Sequence, residues 1–110
     1  NSKILILGLS YKKNIDDIRE SPSLDIIYEL LQRGAIVKYN DPYIPKLPKV
    51  RKYNLEIDHC EIKADLLKTF DCVFLLTDHD DFPYELIKRN SNIIIDTRGR
   101  FTLSENIFRA

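Results

Sequence analysis

Apolar residues in this chain gather in short continuous runs rather than in strict alternation. Four of these runs, Ile4–Leu7, Ile36–Tyr39, Cys72–Leu76 and Ile93–Ile95, stand between polar stretches. Runs of this length predict strands buried on both faces, as in a parallel sheet covered by helices. Between them the spacing turns helical. Leu24, Ile27, Tyr28 and Leu31 follow i, i+3, i+4, i+7 and predict a helix over Pro22–Arg33. Ser21 suits its N-cap and Pro22 its first position, where a missing N–H costs nothing. Gly34 suits the left-handed residue just past its end. A second helix is predicted over Ile62–Phe70, with Ile62, Leu66 and Phe70 on one stripe, and a third over Pro83–Lys88. Strand and helix in alternation give an α/β domain with a mostly parallel sheet. The right-handed crossover rule makes it a Rossmann-like three-layer α/β/α sandwich. The stretch 41–54, with Pro42, Pro45 and Pro48, reads as a surface loop.

Ligands in such sheets bind beyond the carboxyl ends of the strands. The four exits are Gly8–Lys13 running on to Pro22, Asn40–Tyr43, Thr77–Asp80 and Asp96–Arg100. All are polar. Lys12, Arg19 and Arg98 among them favour an anionic ligand, because these cations keep their charge and suit phosphate oxygens. A dinucleotide loop is rejected. Its G-x-G-x-x-G positions are held by Gly8, Ser10 and Lys13, and the loop before the helix is long. Asp41 stands where a ribose-binding acid would, but before Pro42 it reads as a turn-forming residue. His79, between Asp78 and Asp80, and His59, beside Cys60, read as solvated loop residues; too few ligands surround them for a metal. Asp16, Asp17 and Glu20 are candidates for an acid–base group, but they better suit a helix start, where negative charge meets the dipole. No Ser or Cys lies in a nucleophile motif.

Composition narrows the classes. The 110 residues allow one domain, 1–110. Lys plus Arg total 17 and Asp plus Glu 17, so no basic excess supports a nucleic-acid partner. Apolar residues at 44% against 31% charged place the chain among ordered globular proteins. No run approaches a membrane span and residues 1–20 do not read as a signal peptide, so a reducing cytoplasm is the expected compartment. The two cysteines form no disulfide framework; Cys72, opening an apolar run, is expected in the core, and Cys60 lies in a polar stretch. Met is absent, which fits a chain cut from something longer.

The run Gly8–Ser23, GLSYKKNIDDIRESPS, resembles the opening of the C-terminal domain of the UDP-glucose/GDP-mannose dehydrogenase family. The resemblance continues through Arg33-Gly34-Ala35, Asn40–Pro45, Leu75–Phe82 (LLTDHDDF) and Asp96-Thr97-Arg98, and covers essentially the whole chain. Tyr11-Lys12 with DDIRESP, and TDHDDF, look most like the branch acting on UDP-N-acetylhexosamines. Such enzymes oxidise the C6 alcohol of a nucleotide sugar to a carboxylate with two NAD, for polysaccharide precursors. The resemblance implies that this domain holds the UDP part of the substrate. NAD would be bound mainly by an upstream domain, which also carries the catalytic Cys, and a central region would form a homodimer or higher oligomer. It implies that Tyr11, Lys12 and Arg98 contact the nucleotide sugar and that Arg19 reaches NAD. No catalytic residue and no metal ligand is then expected within these residues, and the chain alone is expected to be inactive. Two other readings are a stand-alone regulatory module binding a nucleotide or a partner, and a small receiver- or flavodoxin-like enzyme. A receiver wants acids directly after the first strand and a late Lys, where Gly8-Leu9-Ser10 and Arg98 stand.

Overall fold

A computed structural model describes residues 2–10, 14, 22–46 and 57–109. Among these the strands are β1 (Lys3–Leu7), β2 (Ile36–Asn40), β3 (Asp58–His59), β4 (Cys72–Leu75), β5 (Ile94–Asp96) and β6 (Ile107–Arg109). The helices are α1 (Pro22–Gln32), α2 (Ala64–Leu67) and α3 (Tyr84–Asn90). The strands form one sheet in the order β3-β2-β1-β4-β5-β6, and each adjacent pair is parallel. The order reverses direction between β1 and β4, the switch point beside which such sheets take their ligands.

The continuous apolar runs have the structural meaning expected of them. In β1, Leu5 and Leu7 face one core while Ile4 and Ile6 face another. In β4, Val73 and Leu75 face the first while Cys72 and Phe74 pack on the second. Leu67 of α2 and Ile87 of α3 close the first core; Leu24 and Ile27 of α1 are buried, and Ile27 joins the second. Two cores, one on each face of the sheet, make the three-layer sandwich.

Helix α1 ends as its sequence dictates. Gly34 has φ 86°, its N–H donates to Leu31 O, and the N–H of Ala35 reaches back to Leu30 O. This pair of bonds is a Schellman motif, which satisfies two of the last carbonyls. The Ser21 N-cap lies outside the described residues, as do Asp16, Asp17, Glu20 and Pro48. Helix α2 is shorter than the predicted 62–70. The Thr69 hydroxyl and N–H both donate to Leu66 O and close the helix early, so that the Asp71 N–H can donate to Lys3 O at the entry to β4. Ile62 and Leu66 still pack on the core, and Phe70 is buried within it.

Two edge strands, β3 and β6, were not expected. Asp58–His59 is polar and exposed, and Ile107–Arg109 has one buried residue, so neither shows the apolar run that betrays a central strand. The cysteines also differ from expectation. Cys60, in its polar stretch, is buried in the first core, whereas Cys72 is only partly buried. Cys60 N–H donates to Tyr39 O at the end of the β2–β3 ladder, and this turns its side chain inward.

Candidate functional site

The carboxyl ends of β1, β2, β4 and β5 lie side by side, and the site starts with Gly8. Its φ is 93°, a conformation that strains any residue with a Cβ. A Cβ there would stand 2.5 Å from Thr77 Cβ and 2.6 Å from Thr77 O. Gly8 thus lets the β1 and β4 exits touch, and the Thr77 hydroxyl seals the contact by donating to Ser10 O at 2.8 Å.

Asp41 leaves β2 and turns into this junction. Its Oδ1 accepts the Tyr43 N–H at 2.9 Å, the Asx turn expected of an Asp before Pro42. Its Oδ2 accepts the N–H of Leu9 at 2.8 Å and of Ser10 at 3.2 Å, and the Ser10 hydroxyl at 3.0 Å. Burial alone would raise the pKa of this carboxyl. Bonds from His79 and from the backbone N–H groups of Leu9 and Tyr43 outweigh it and hold the group below its ordinary value. These contacts decide how the loop treats a dinucleotide. Amides that would face a pyrophosphate are spent on Asp41, and the acid that would hold a ribose is turned inward. The described residues here, Leu9, Ser10 and Asp41, therefore do not fit NAD.

His79 corrects the expectation of a solvated loop histidine: it is fully buried. Its flanking Asp78 and Asp80 carry the polarity, while the ring lies against Tyr43 and Phe82 at centroid distances of 4.8 and 5.5 Å. Nε2 lies 2.9 Å from Asp41 Oδ2 and 3.3 Å from Ser10 Oγ. Nδ1 accepts the backbone N–H of Asn14 at 2.6 Å. That bond assigns the ring proton to Nε2, facing the carboxylate. Ser, His and Asp meet here, yet the arrangement is structural. Ser10 and His79 both bond to one carboxylate oxygen, and all three side chains are buried.

The fourth exit repeats the device of the second. Asp96 is buried, its Oδ1 accepting the N–H groups of Arg98 and Gly99 and its Oδ2 that of Phe101. This shapes the Asp-Thr-Arg turn. Arg98 Nε donates to Leu76 O at 2.8 Å, which ties the guanidinium to the β4 exit. Arg98 is exposed and pairs with no carboxylate among the described residues. Arg100 contrasts with it. It lies 3.1 Å from Asp80 Oδ1 and 3.6 Å from Asp78 Oδ2, and stacks on Tyr84 at 4.4 Å. Burial alone would lower its pKa, but the Asp80 bond and the surrounding charges raise it, so its charge serves the protein itself. Tyr84 anchors this corner by donating to His79 O at 2.6 Å; burial pushes its phenol up to about 12.

Of the residues singled out by sequence, Arg98 stands at this edge, while Tyr11, Lys12 and Arg19 lie outside the described residues. Ser10 and Asn14, which flank Tyr11–Lys13, are described and firmly tied. Asn14 has φ 61°, a left-handed conformation that Asn tolerates. Its side chain donates to Asp80 Oδ2 and accepts the Asp80 N–H. Sequence reasoning missed Asn14 and His79 as structural partners. No local pattern signals a contact between residues 65 apart. No group of three or more His, Cys, Asp or Glu is placed to hold a metal among the described residues.

Residues 5–102 match the UDP binding domain of the UDP-glucose/GDP-mannose dehydrogenase family. The chain belongs to that family. The NDP-N-acetyl-D-galactosaminuronic acid dehydrogenase of Ralstonia nicotianae is 36% identical over 101 residues, 90% of this chain and 23% of that protein. The UDP-N-acetyl-D-mannosamine dehydrogenase of Methanococcus maripaludis is 41% identical over 81 residues, 73% of this chain and 17% of that protein. The crystal structure of NDP-N-acetyl-D-galactosaminuronic acid dehydrogenase from Methanosarcina mazei Go1 superposes with a TM-score of 0.74 at 25% identity, covering 100% of this chain and 24% of that one. The chain therefore spans about a quarter or less of these relatives' length. As a UDP binding domain it has a clear internal logic: Asp41 and Asp96 fold two exits inward and leave the Arg98 guanidinium facing outward.

Proposed function

We propose that this chain binds the UDP moiety of a nucleotide sugar at the β1, β4 and β5 exits. In this reading it is the C-terminal domain of a longer NAD-dependent dehydrogenase. That enzyme oxidises the C6 alcohol of a UDP-hexose or UDP-N-acetylhexosamine to a carboxylate in polysaccharide precursor synthesis. The observation that carries the reading is Arg98, anchored through Nε to Leu76 O and without a carboxylate partner among the described residues. A guanidinium held at one nitrogen still presents its two terminal nitrogens, a fork suited to phosphate oxygens. Lys12 adds a second cation and Tyr11 an aromatic face for the base or sugar.

NAD would be bound by segments outside these residues, since the described residues at the β1 exit do not fit it; Arg19 would reach it from this side. When bound, NAD would supply the hydride acceptor for each oxidation. The β1, β4 and β5 exits of this chain bind and orient the nucleotide. The assembled enzyme is proposed to be a cytoplasmic homodimer or higher oligomer. Leu103 and Phe108, 57% and 51% exposed near β6, offer apolar surface for other parts of such an enzyme.

Titration calorimetry with UDP tests the reading. The chain should bind UDP, and Lys12→Ala and Arg98→Ala should each weaken binding about 10–100-fold, the worth of one charge-assisted contact. Absence of UDP binding, or unchanged affinity in both variants, overturns it.

A further inference from the structure

We propose that Thr97 is a positioning residue for the nucleotide site: its hydroxyl, bonded to the β4 exit, aims the Arg98 guanidinium at the diphosphate. This rests on the reading that the chain binds UDP through Arg98, and adds a residue to it. Thr97 Oγ1 donates to Leu75 O at 2.7 Å, and the Thr97 N–H reaches the same carbonyl at 3.2 Å. The next carbonyl of the β4 exit, Leu76 O, takes Nε of the next residue, Arg98, at 2.8 Å. Successive residues of the β5 exit thus dock on successive carbonyls of the β4 exit. That backbone is itself held, since the N–H groups of Leu76 and Thr77 both donate to Leu7 O of β1. On the main-chain side, the buried Asp96 carboxylate accepts the N–H groups of Arg98 and Gly99, each at 2.9 Å, and Gly99 completes the turn at φ 71°. The strand pairing does not need the hydroxyl, because the Thr97 N–H already continues the β4–β5 ladder and keeps Leu75 O paired. What the hydroxyl adds is a second bond at the residue before Arg98, which sets the start of the turn against Leu76 O. An exposed Arg side chain has many rotamers, and restricting them before the ligand arrives lowers the ordering cost of binding.

Two substitutions isolate the hydroxyl. Thr97→Val keeps the size and branching of the side chain and leaves Leu75 O paired with the backbone N–H. Thr97→Ser keeps the hydroxyl. UDP affinity by calorimetry and solvent exchange of the Arg98 Nε–H by NMR are measured for both variants and wild type, with a thermal scan to confirm that each is folded. Thr97→Val should weaken UDP binding about fivefold and speed Nε–H exchange about tenfold. Thr97→Ser should restore both to within about twofold of wild type. In an Arg98→Ala background, Thr97→Val should change UDP affinity by less than about twofold, because a positioning residue acts through the group that it positions. A purely structural role would weaken binding equally with and without Arg98, and that result overturns the proposal. Wild-type affinity or wild-type Nε–H exchange in Thr97→Val overturns it as well. Failure of wild type to bind UDP overturns the UDP reading instead, and Nε–H exchange in the two variants then still decides whether Thr97 positions Arg98.

Discussion

Asp41 and His79 meet at 2.9 Å between Oδ2 and Nε2, with both side chains fully buried. The same oxygen collects the N–H groups of Leu9 and Ser10, so one carboxylate joins the β1, β2 and β4 exits. Replacing it by Ala orphans several buried donors at once. Asp41→Ala should lose at least about 3 kcal/mol, since bonds to a charged acceptor are worth roughly 1.5–3 kcal/mol each and unsatisfied buried donors add to the cost. Urea denaturation with an unchanged slope would read this as a shift of midpoint. A loss under about 1 kcal/mol would contradict the network's role.

The same carboxyl makes stability depend on acid. Its folded pKa lies below its ordinary 3.8, so between those two values the unfolded chain binds more protons than the folded one. The stabilisation is therefore complete above the ordinary value and fades as pH falls through the lower, folded one. Urea midpoints of wild type and Asp41→Asn, measured from pH 6 to pH 3, should converge toward the acid end. A constant gap would show that Asp41 is not held in its ionised form.

Gly8 has neither the backbone angle nor the space for a side chain. Gly8→Ala should cost about 2–4 kcal/mol, combining left-handed strain with a contact on the Thr77 backbone that cannot yield easily. In a domain of this size that lowers the thermal midpoint by roughly 10 °C or more. Calorimetric scanning reads it directly, and an unchanged midpoint would mean that the β1 and β4 exits are not in close contact at Gly8 and Thr77.

Arg98 and Arg100 are two residues apart and carry the same charge, yet they differ in what holds them. Arg98→Ala should weaken UDP binding, because its terminal nitrogens are left open to phosphate oxygens. Arg100→Ala should leave UDP affinity within about twofold, because its charge is already taken up by Asp78 and Asp80. Equal losses in the two variants would point to a diffuse electrostatic effect rather than a specific contact.

These residues also show what a sequence can and cannot reveal. The central strands were legible because burial on both faces demands unbroken apolar runs such as Ile4–Leu7. The end of α1 was legible because Gly34 is a local signal. Asp41 was half legible: the turn before Pro42 is local, but its reach to Leu9 and Ser10 is not. His79 was misread because its neighbours are acids, and burial depends on Tyr43 and Phe82 arriving from elsewhere. Strand β3 was missed because two exposed residues owe their conformation to pairing with β2 rather than to their own pattern.

Neither cysteine is fit to act as a nucleophile. Cys60 is buried, which pushes its thiol up, and it donates weakly to Glu61 O. Burial pushes Cys72 up to about 11, with Asp71 adding to the effect. A thiol with that pKa is about 0.1% ionised at pH 8, and the thiolate is the reactive form. Iodoacetamide should therefore label native Cys72 very slowly at pH 8 and about tenfold faster for each unit up to pH 10. Cys60 should be labelled only on unfolding. Mass spectrometry of the alkylated peptides distinguishes the two. With no competent thiol, and with described residues at the β1 exit that do not fit NAD, the chain incubated with NAD and a UDP-sugar should produce no NADH. Rapid alkylation of either cysteine at neutral pH, or NADH formation by this chain alone, would refute the assignment of the oxidation chemistry to other parts of the enzyme.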